Sequence, residues 1–291
     1  MKQPLVSLIT INYNTEDYTL ELLASLQESE YENWELIIVD NSSRVDPTDK
    51  LNSLGNKVNY YRSEQNLGFA GGNNKGVELA NGEYYFFVNN DTEVTPTLIG
   101  DLIEKFQSNP HIGLLSPKIV YHNTNIIQYA GYTELTQLTL RNEAVGNKRE
   151  DNGEFESFIP TPYAHGAAMM TSREVVNNVG LMPELFFLYY EEVDWSQSIK
   201  EAGYEIWVDQ AAKIYHKESM SIGKGNPLKT YYLTRNRILF CRRHRDFFQN
   251  FLFFSYSWLF VLPLKSLQYL IKRDQKQLKA FVNAYYWHLK N

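Results

Sequence analysis

One cysteine in 291 residues, Cys241, rules out a disulfide framework inside the chain and fits a reducing compartment. The chain has no G-x-x-x-x-G-K-[ST] phosphate loop. Its glycine-rich run, Gly68 to Gly76, does not directly follow the first β-rich run, which argues against a nicotinamide oxidoreductase. Met1 to Val6 holds no basic region followed by an apolar stretch and a cleavage site, so no secretory signal is expected. Internal repeats and low-complexity segments are also missing. The aromatic-rich stretch from Phe247 to Leu262 is interrupted by Gln249, Asn250, Ser255 and Ser257 and is closed by Pro263. That falls short of the ~20 apolar residues of a bilayer-spanning helix, so the stretch reads as a poor one.

Positive charge is scarce over most of the chain. Residues 1–216 carry 14 Lys and Arg against 31 Asp and Glu, whereas residues 217–291 carry 14 against 3. The basic tail favours an anionic membrane surface over nucleic acid, which is not expected as a partner. Its aromatic run is flanked by Arg242, Arg243 and Arg245 and by Lys265, Lys272 and Arg273, a pattern suited to a helix lying in the membrane interface. The alternative is a helical hairpin packed on the main domain or, in a homodimer, on a second subunit.

What the chain does have is an alternation of strand and helix patterns with polar strand ends. Val6 to Ile11, Leu36 to Val39, Val58 to Tyr61 and Tyr84 to Val88 are β-rich runs, separated by helical spacing such as Leu22, Leu23 and Leu26 after an N-cap at Thr15. Single helices between strands imply right-handed crossovers and a mostly parallel sheet, with ligands at the carboxyl ends of the strands. There stand Tyr13, Asp40, Asn41, Asn66 and Asp91. An aromatic ring can stack on a base, a carboxylate can accept from ribose or base, and oxygen ligands suit a hard divalent cation. Taken alone, each cluster is equally a solvated turn.

Further on, Gly113 to Val120 reads as a strand and Thr139 to Ser157 as an exposed loop or hairpin. Phe158 to Met170 leads into a helix capped by Thr171 or Ser172. Glu191 to Ala202 reads as a helix closed by Gly203, and Glu205 to His216 as a strand. No clean boundary precedes about residue 217.

Taken in order, Val6 to Asn14, Ile37 to Ser42, Asn66 to Asn74 and Asn89-Asn90-Asp91-Thr92-Glu93 resemble glycosyltransferase family 2, most of all the bacterial rhamnosyltransferase-type enzymes of surface-polysaccharide assembly. The resemblance spans roughly residues 5–245. It implies an α/β chain with a GT-A fold, a Rossmann-like, mostly parallel sheet flanked by helices, with a helical C-terminal appendage. Residues 1–216 would form the glycosyltransferase domain, with 1–110 as the nucleotide-binding half and 111–216 as the acceptor half, and 217–291 the appendage. It further implies a UDP- or dTDP-linked sugar donor, a saccharide or lipid-linked acceptor, a divalent metal (Mn²⁺ or Mg²⁺), inversion at the anomeric carbon, and work in the cytoplasm or on the inner face of the plasma membrane.

Matched position by position, Tyr13, Asp40, Asn41, Asn66, Gly68, Asn74 and Asn89 fall on the donor side, and His165 and Gly166 near the acceptor. Asp91 and His216, the latter followed by a serine-containing loop at Lys217 to Ser221, would ligate the metal. Asn89 departs from the usual Asp-x-Asp, so it either weakens the metal site or touches the sugar. Among Glu191, Glu192 and Asp194, the resemblance makes Glu192 the base, one methylene longer than the family's aspartate, with Asp194 in reserve. Helix N-terminal acid preference is the alternative for all three. Arg235 and Arg237 fall in a segment that also resembles the family and would bind a phosphate or form a basic helix face. The other functional class open to the chain is a non-catalytic nucleotide-sugar-binding partner of a membrane assembly complex.

Overall fold

The computed structural model describes residues 3–217 and 226–291; the serine-containing loop from Glu218 on, and the first two residues of the N-terminal segment, lie outside them. The described chain forms two compact units. The first comprises the described residues of Met1–Thr133, Glu143–Phe187 and Glu191–Ser219; the second, those of Glu134–Asn142, Leu188–Tyr190 and Met220–Asn291.

The first unit begins β1 (Val6–Asn12), α1 (Glu16–Gln27), β2 (Trp34–Asp40), α2 (Thr48–Leu51), β3 (Val58–Arg62), α3 (Gly68–Leu79) and β4 (Tyr84–Val88). Strands β3, β2, β1 and β4 lie side by side and parallel, so their four polar ends share one edge. It continues with β5 (Thr92–Val94), α4 (Leu98–Ser108), β6 (Ile112–Tyr121), β7 (Ile127–Tyr129), β8 (Phe158–Pro160), β9 (Ala168–Ser172), α5 (Arg173–Val179), α6 (Glu191–Glu201) and β10 (Glu205–His216). All ten strands join one sheet among the described residues, in the order β3-β2-β1-β4-β9-β6-β10-β5, with β7 on β6 and β8 on β10.

Period-two alternation decides the layers. On β1, Leu8 faces a cluster with Leu22 and Leu26 of α1 and Leu98 and Leu102 of α4. Its neighbour Ile9 faces Ala70 of α3, Val175 of α5, and Trp195 and Ile199 of α6. These side chains are almost wholly buried, the leucines, isoleucines and valine each contributing about 1.5–3 kcal/mol by transfer. The result is a sheet with helices on both faces, the α/β arrangement expected.

Four elements differ from the sequence reading. The sheet is parallel only in part, because β9 runs antiparallel between β4 and β6. The short apolar run Ala168 to Met170 lies in that strand, and α5 follows an N-cap at Ser172, one of the two caps expected, whose hydroxyl accepts from Val175 N–H. Thr15 occupies an N-cap position without capping; its hydroxyl instead accepts from Asn90 Nδ2 at 2.8 Å. The stretch Thr139 to Ser157, expected as an exposed loop or hairpin, is mostly so but is anchored at Asp151 and Phe155, which are buried: the fully buried Lys118 donates to Asp151 Oδ1 (2.8 Å), the Phe155 carbonyl (2.7 Å) and Glu156 (3.0 Å).

The second unit contains α7 (Pro227–His244), α8 (Phe247–Tyr256), a π turn over Ser257–Val261, α9 (Leu262–Ile271) and α10 (Gln275–Lys290). Pro263 does not stop the apolar stretch. A proline ring clashes with the carbonyl four residues back, and the π turn, in which Leu262 N–H bonds the Ser257 carbonyl, widens the helix just there. Phe247–Ile271 is therefore one helical run of 25 residues with mean hydropathy 1.3, long and apolar enough to cross a membrane by length and composition alone, and little of it is buried. The expectation that this stretch is too short was wrong for that reason.

The Lys118 cluster yields a pH-dependent contribution. Burial alone would raise the Asp151 carboxyl, but hydrogen bonds from Lys118 and Lys213 outweigh it and hold it below the usual carboxylate range. A depressed carboxylate stabilises the fold fully above its unfolded value of about 3.9, and the contribution is lost as pH falls through the folded value. Asp151→Asn, which leaves the buried Lys118 with only the half-exposed Glu156 as a carboxylate partner among the described residues, should cost roughly 3 kcal/mol at pH 7. Thermal unfolding should show the gap to the parent narrowing below about pH 4; an unchanged gap would contradict this account.

Candidate functional site

At the sheet edge, Asp40 closes β2 with its carboxylate entirely buried. Oδ2 accepts from Asn12 Nδ2 at 2.7 Å and from the Ser43 hydroxyl at 2.5 Å, while Oδ1 accepts from Ser43 N–H at 3.1 Å and lies 3.4 Å from Arg62. Its oxygens are thus already engaged by the protein. Asn41 links this strand end to the glycine-rich segment: Nδ2 donates to Asn66 Oδ1 (3.1 Å) and the Gly68 carbonyl (2.9 Å), and Oδ1 accepts from Leu67 N–H (2.9 Å). Asn66 in turn accepts from Gly68 N–H.

Gly68 has φ +74°, and a Cβ there would stand 2.3 Å from the Phe187 carbonyl. Only glycine fits both the left-handed backbone and that approach, which brings Phe187 O within 2.7 Å of Phe69 N–H. Asn74, on the same helix, spends its amide on Met182 and Glu184. Tyr13 stands 38% exposed on the rim, and Asn89 is half-buried, its side-chain amide making no hydrogen bond among the described residues.

After β4, Asn90 donates to the Thr15 and Thr19 hydroxyls and holds the start of α1. Asp91 is buried, with Oδ1 3.1 Å from His216 Nε2. The register Thr92↔His216 between β5 and β10 makes this pair adjacent. Gln128 on β7 accepts from His216 Nδ1 at 2.7 Å, which puts the neutral ring's proton on Nδ1. Nε2 then aims a lone pair at a carboxylate oxygen, and it makes no hydrogen bond despite being buried. Two lone pairs face to face at that distance repel unless a proton or a cation lies between them. An imidazole and a carboxylate so placed fit a divalent cation, although no cluster of three such ligands occurs among the described residues.

Across the sheet, α6 is set by Trp195, which meets Phe87 edge-on at 5.7 Å and donates to the Gly180 carbonyl, and by buried Val193 and Ile199. Of its three leading acids, Glu191 and Asp194 are buried and Glu192 is half-buried. A Cβ on Gly166 would be 3.8 Å from the Glu192 carboxyl carbon and 3.7 Å from the Phe69 ring. Burial, then the Glu192 charge, pushes the Tyr132 hydroxyl well above its ordinary value. His165 stacks on Tyr132 at 5.9 Å and tilts against Tyr129. Burial, with His216 nearby, pulls His165 down to about 3, so it stays neutral at ordinary pH. Its Nδ1 accepts from Ala167 N–H, which leaves Nε2–H as a donor.

The structure therefore brings together Asp91 and His216, and separately Glu192, His165 and Gly166; Asp40 and Asn74 face inward. Sequence reasoning missed Gln128, whose only signal is a lone polar residue between apolar neighbours in Ile127-Gln128-Tyr129. It also missed Phe187, where nothing in the sequence marks a φ of +65°.

Comparison with known proteins points one way. The low-salt glycan biosynthesis hexosyltransferase Agl10 of Haloferax volcanii is 26% identical over 239 residues, covering 80% of this chain and 74% of that one. GalNAc-T7, solved with UDP, GalNAc and Mn²⁺, superposes with a TM-score of 0.67 at 14% identity, over 82% of this chain but only 48% of its own. The mannosyltransferase PcManGT of Pyrobaculum calidifontis, solved with GDP-Man and Mn²⁺, gives 0.60 at 13% identity over 98% of this chain and 86% of its own. Those likenesses bear on the GT-A fold. Residues 7–180, more than half the chain, match the family described as Glycosyl transferase family 2, and the chain belongs to that family.

Proposed function

We propose that this glycosyltransferase moves a hexosyl or deoxyhexosyl unit, with inversion, from a nucleotide-diphosphate sugar to a saccharide or lipid-linked acceptor in surface-glycan synthesis. The observation that carries the reading is the buried Asp91–His216 pair, with an unsatisfied imidazole nitrogen facing a carboxylate at the sheet edge. The solved neighbours that hold UDP or GDP-Man with Mn²⁺ support a nucleotide and a divalent metal here too. Agl10, a glycan-biosynthesis hexosyltransferase, supports the product class.

In this reading residues 1–110 serve the donor and 111–216 the acceptor. The exposed Tyr13 ring stacks on the base, while Asn41 and Asn66 keep the rim in shape rather than spending their amides on ligand. Asp91 and His216 would hold the cation, which when bound offsets the charge of the diphosphate leaving group. Asn89, with its amide unengaged, meets the sugar or the diphosphate. The acceptor oxygen bonds to the anomeric carbon as the bond to the diphosphate breaks, and its proton passes to the Glu192 carboxylate. Glu192 suits that task because it is the partly exposed one of the three acids and borders Gly166, where the absence of a side chain leaves room for a sugar. His165 donates from Nε2 to a sugar oxygen. The basic C-terminal region, with Phe247 88% and Leu259 68% exposed, meets an anionic membrane at its inner face.

A thermal-shift panel of UDP-, dTDP- and GDP-sugars with and without Mn²⁺ tests donor binding, since a ligand of the folded state raises its stability; no shift with any donor would sink the proposal. Asp91→Ala should abolish metal-dependent binding and transfer. Glu192→Gln should lower kcat by about 10²–10⁴ with donor affinity kept. Normal turnover in Glu192→Gln alongside a folded but inactive Asp194→Asn would move the base to Asp194.

A further inference from the structure

Within the second unit lies a half-open cleft of about 410 Å³, in the size range of small-molecule sites. Its walls are apolar, with Ile238 from α7, Phe253 from α8, Leu264 from α9 and Phe281 from α10. Among the described residues no carboxylate lines it, whereas three cations do: Arg141, Arg237 and Lys265. An apolar trough with three cations and no carboxylate in its described lining matches an amphiphile with one chain and one anionic head.

Three details narrow the occupant. Arg237 is half-buried, with Nε donating to the Tyr190 hydroxyl at 3.1 Å. That contact fixes its plane, and its terminal nitrogens make no hydrogen bond among the described residues, leaving the fork available to a phosphate. The π turn lies on the cleft wall and places Ser257 against Tyr285, hydroxyl to hydroxyl at 2.7 Å, which pairs these two polar groups with each other. Phe260 and Leu264 line the cleft yet remain 54% and 64% exposed. They belong to the exposed apolar run of the helix, so the cleft shares apolar lining with that surface.

We propose that the cleft binds a single-chain lipid phosphate, with its chain along the π turn and α10 and its phosphate on Arg237 and Arg141. A two-chain phospholipid fits this volume less well. The inference rests on the reading of the acceptor as lipid-linked and names the group that would carry it.

Calorimetric titration of the full chain with farnesyl phosphate, farnesol and inorganic phosphate tests it. Farnesyl phosphate should bind at least tenfold more tightly than farnesol, and inorganic phosphate should not bind detectably. Arg237→Ala should weaken farnesyl phosphate about tenfold and leave farnesol unchanged, the loss of one charged hydrogen-bonding partner. Thr234→Trp, which fills the cleft, should weaken both; Thr234 lines the cleft and makes no side-chain hydrogen bond among the described residues. Unchanged farnesyl phosphate affinity in both folded variants would overturn the proposal, as would equal displacement by a soluble two-chain phosphatidylglycerol, which would assign the cleft to bilayer lipid. Nucleotide-sugar titrations on the same samples separate the two readings. Donor binding without farnesyl phosphate binding removes the lipid site alone, and the reverse removes the transferase reading alone.

Discussion

The buried Asp40 carboxylate is the constraint on which the edge of the sheet depends. A charge with no exposure is costly unless every lone pair is matched, and Asn12, Ser43 and Arg62 meet that requirement from two neighbouring strands and a loop. The match holds only in the parallel register that sets Asn12 opposite Asp40. The same amide carries the network onward: Asn12 Oδ1 accepts from Thr19, and Thr19 accepts from Asn90. A continuous hydrogen-bonded chain thus runs from the end of β2, through β1 and α1, to the residue beside Asp91. The carboxylate proposed for the metal sits on a rim already fixed before any ligand arrives, which is the condition for electrostatic preorganisation.

That chain also shows how far the sequence could be read. Polar residues closing apolar runs were visible, and with them the strand ends and the edge they share. Which of those residues face ligand and which face each other was not, because Asp40 as a buried strut and Asp40 as a ribose acceptor have the same sequence signature. Ala168 to Met170 was misplaced for a similar reason. A short apolar run carries no period with which to tell a buried strand from the approach to a helix. Pro263 misled because a helix breaker counts only against a regular α turn, and the π turn removes the clash. Gln128 had to wait for the structure, since its role depends on a pairing between β6 and β7 that no local pattern announces.

The acids of α6 were legible as a cluster and indistinguishable as individuals. Helical geometry sorts them: Val193, Trp195 and Ile199 anchor one face in the core, which draws Asp194 under and leaves Glu192 towards Gly166. Ser196 secures this by donating to the Glu192 carbonyl and accepting from Ala164 N–H, which ties the helix to the segment carrying His165 and Gly166. Burial keeps His165 neutral, so of the titratable groups bordering Gly166 the histidine can donate but not take a proton near neutral pH. The proposed transfer to a hydroxyl requires a base, and the half-buried Glu192 carboxylate beside Gly166 is the one proposed for it.

Charge divides the two phosphates of the proposed reaction. Residues 1–216 hold 31 acids against 14 bases, and residues 217–291 reverse the balance with 14 bases against 3. A nucleotide diphosphate approaching the acidic part gains nothing from long-range attraction, which beyond about 8 Å is screened in any case. In the proposed reading its binding energy comes from the rim itself: the Tyr13 ring, the Asn89 amide and a cation held at Asp91 and His216. A lipid phosphate meets the opposite field in the basic region, where attraction and apolar contact act together. On the two proposals, anions that would compete for one basic site are sorted by the sequence's own asymmetry: contact geometry would select the donor, while charge and chain would select the lipid.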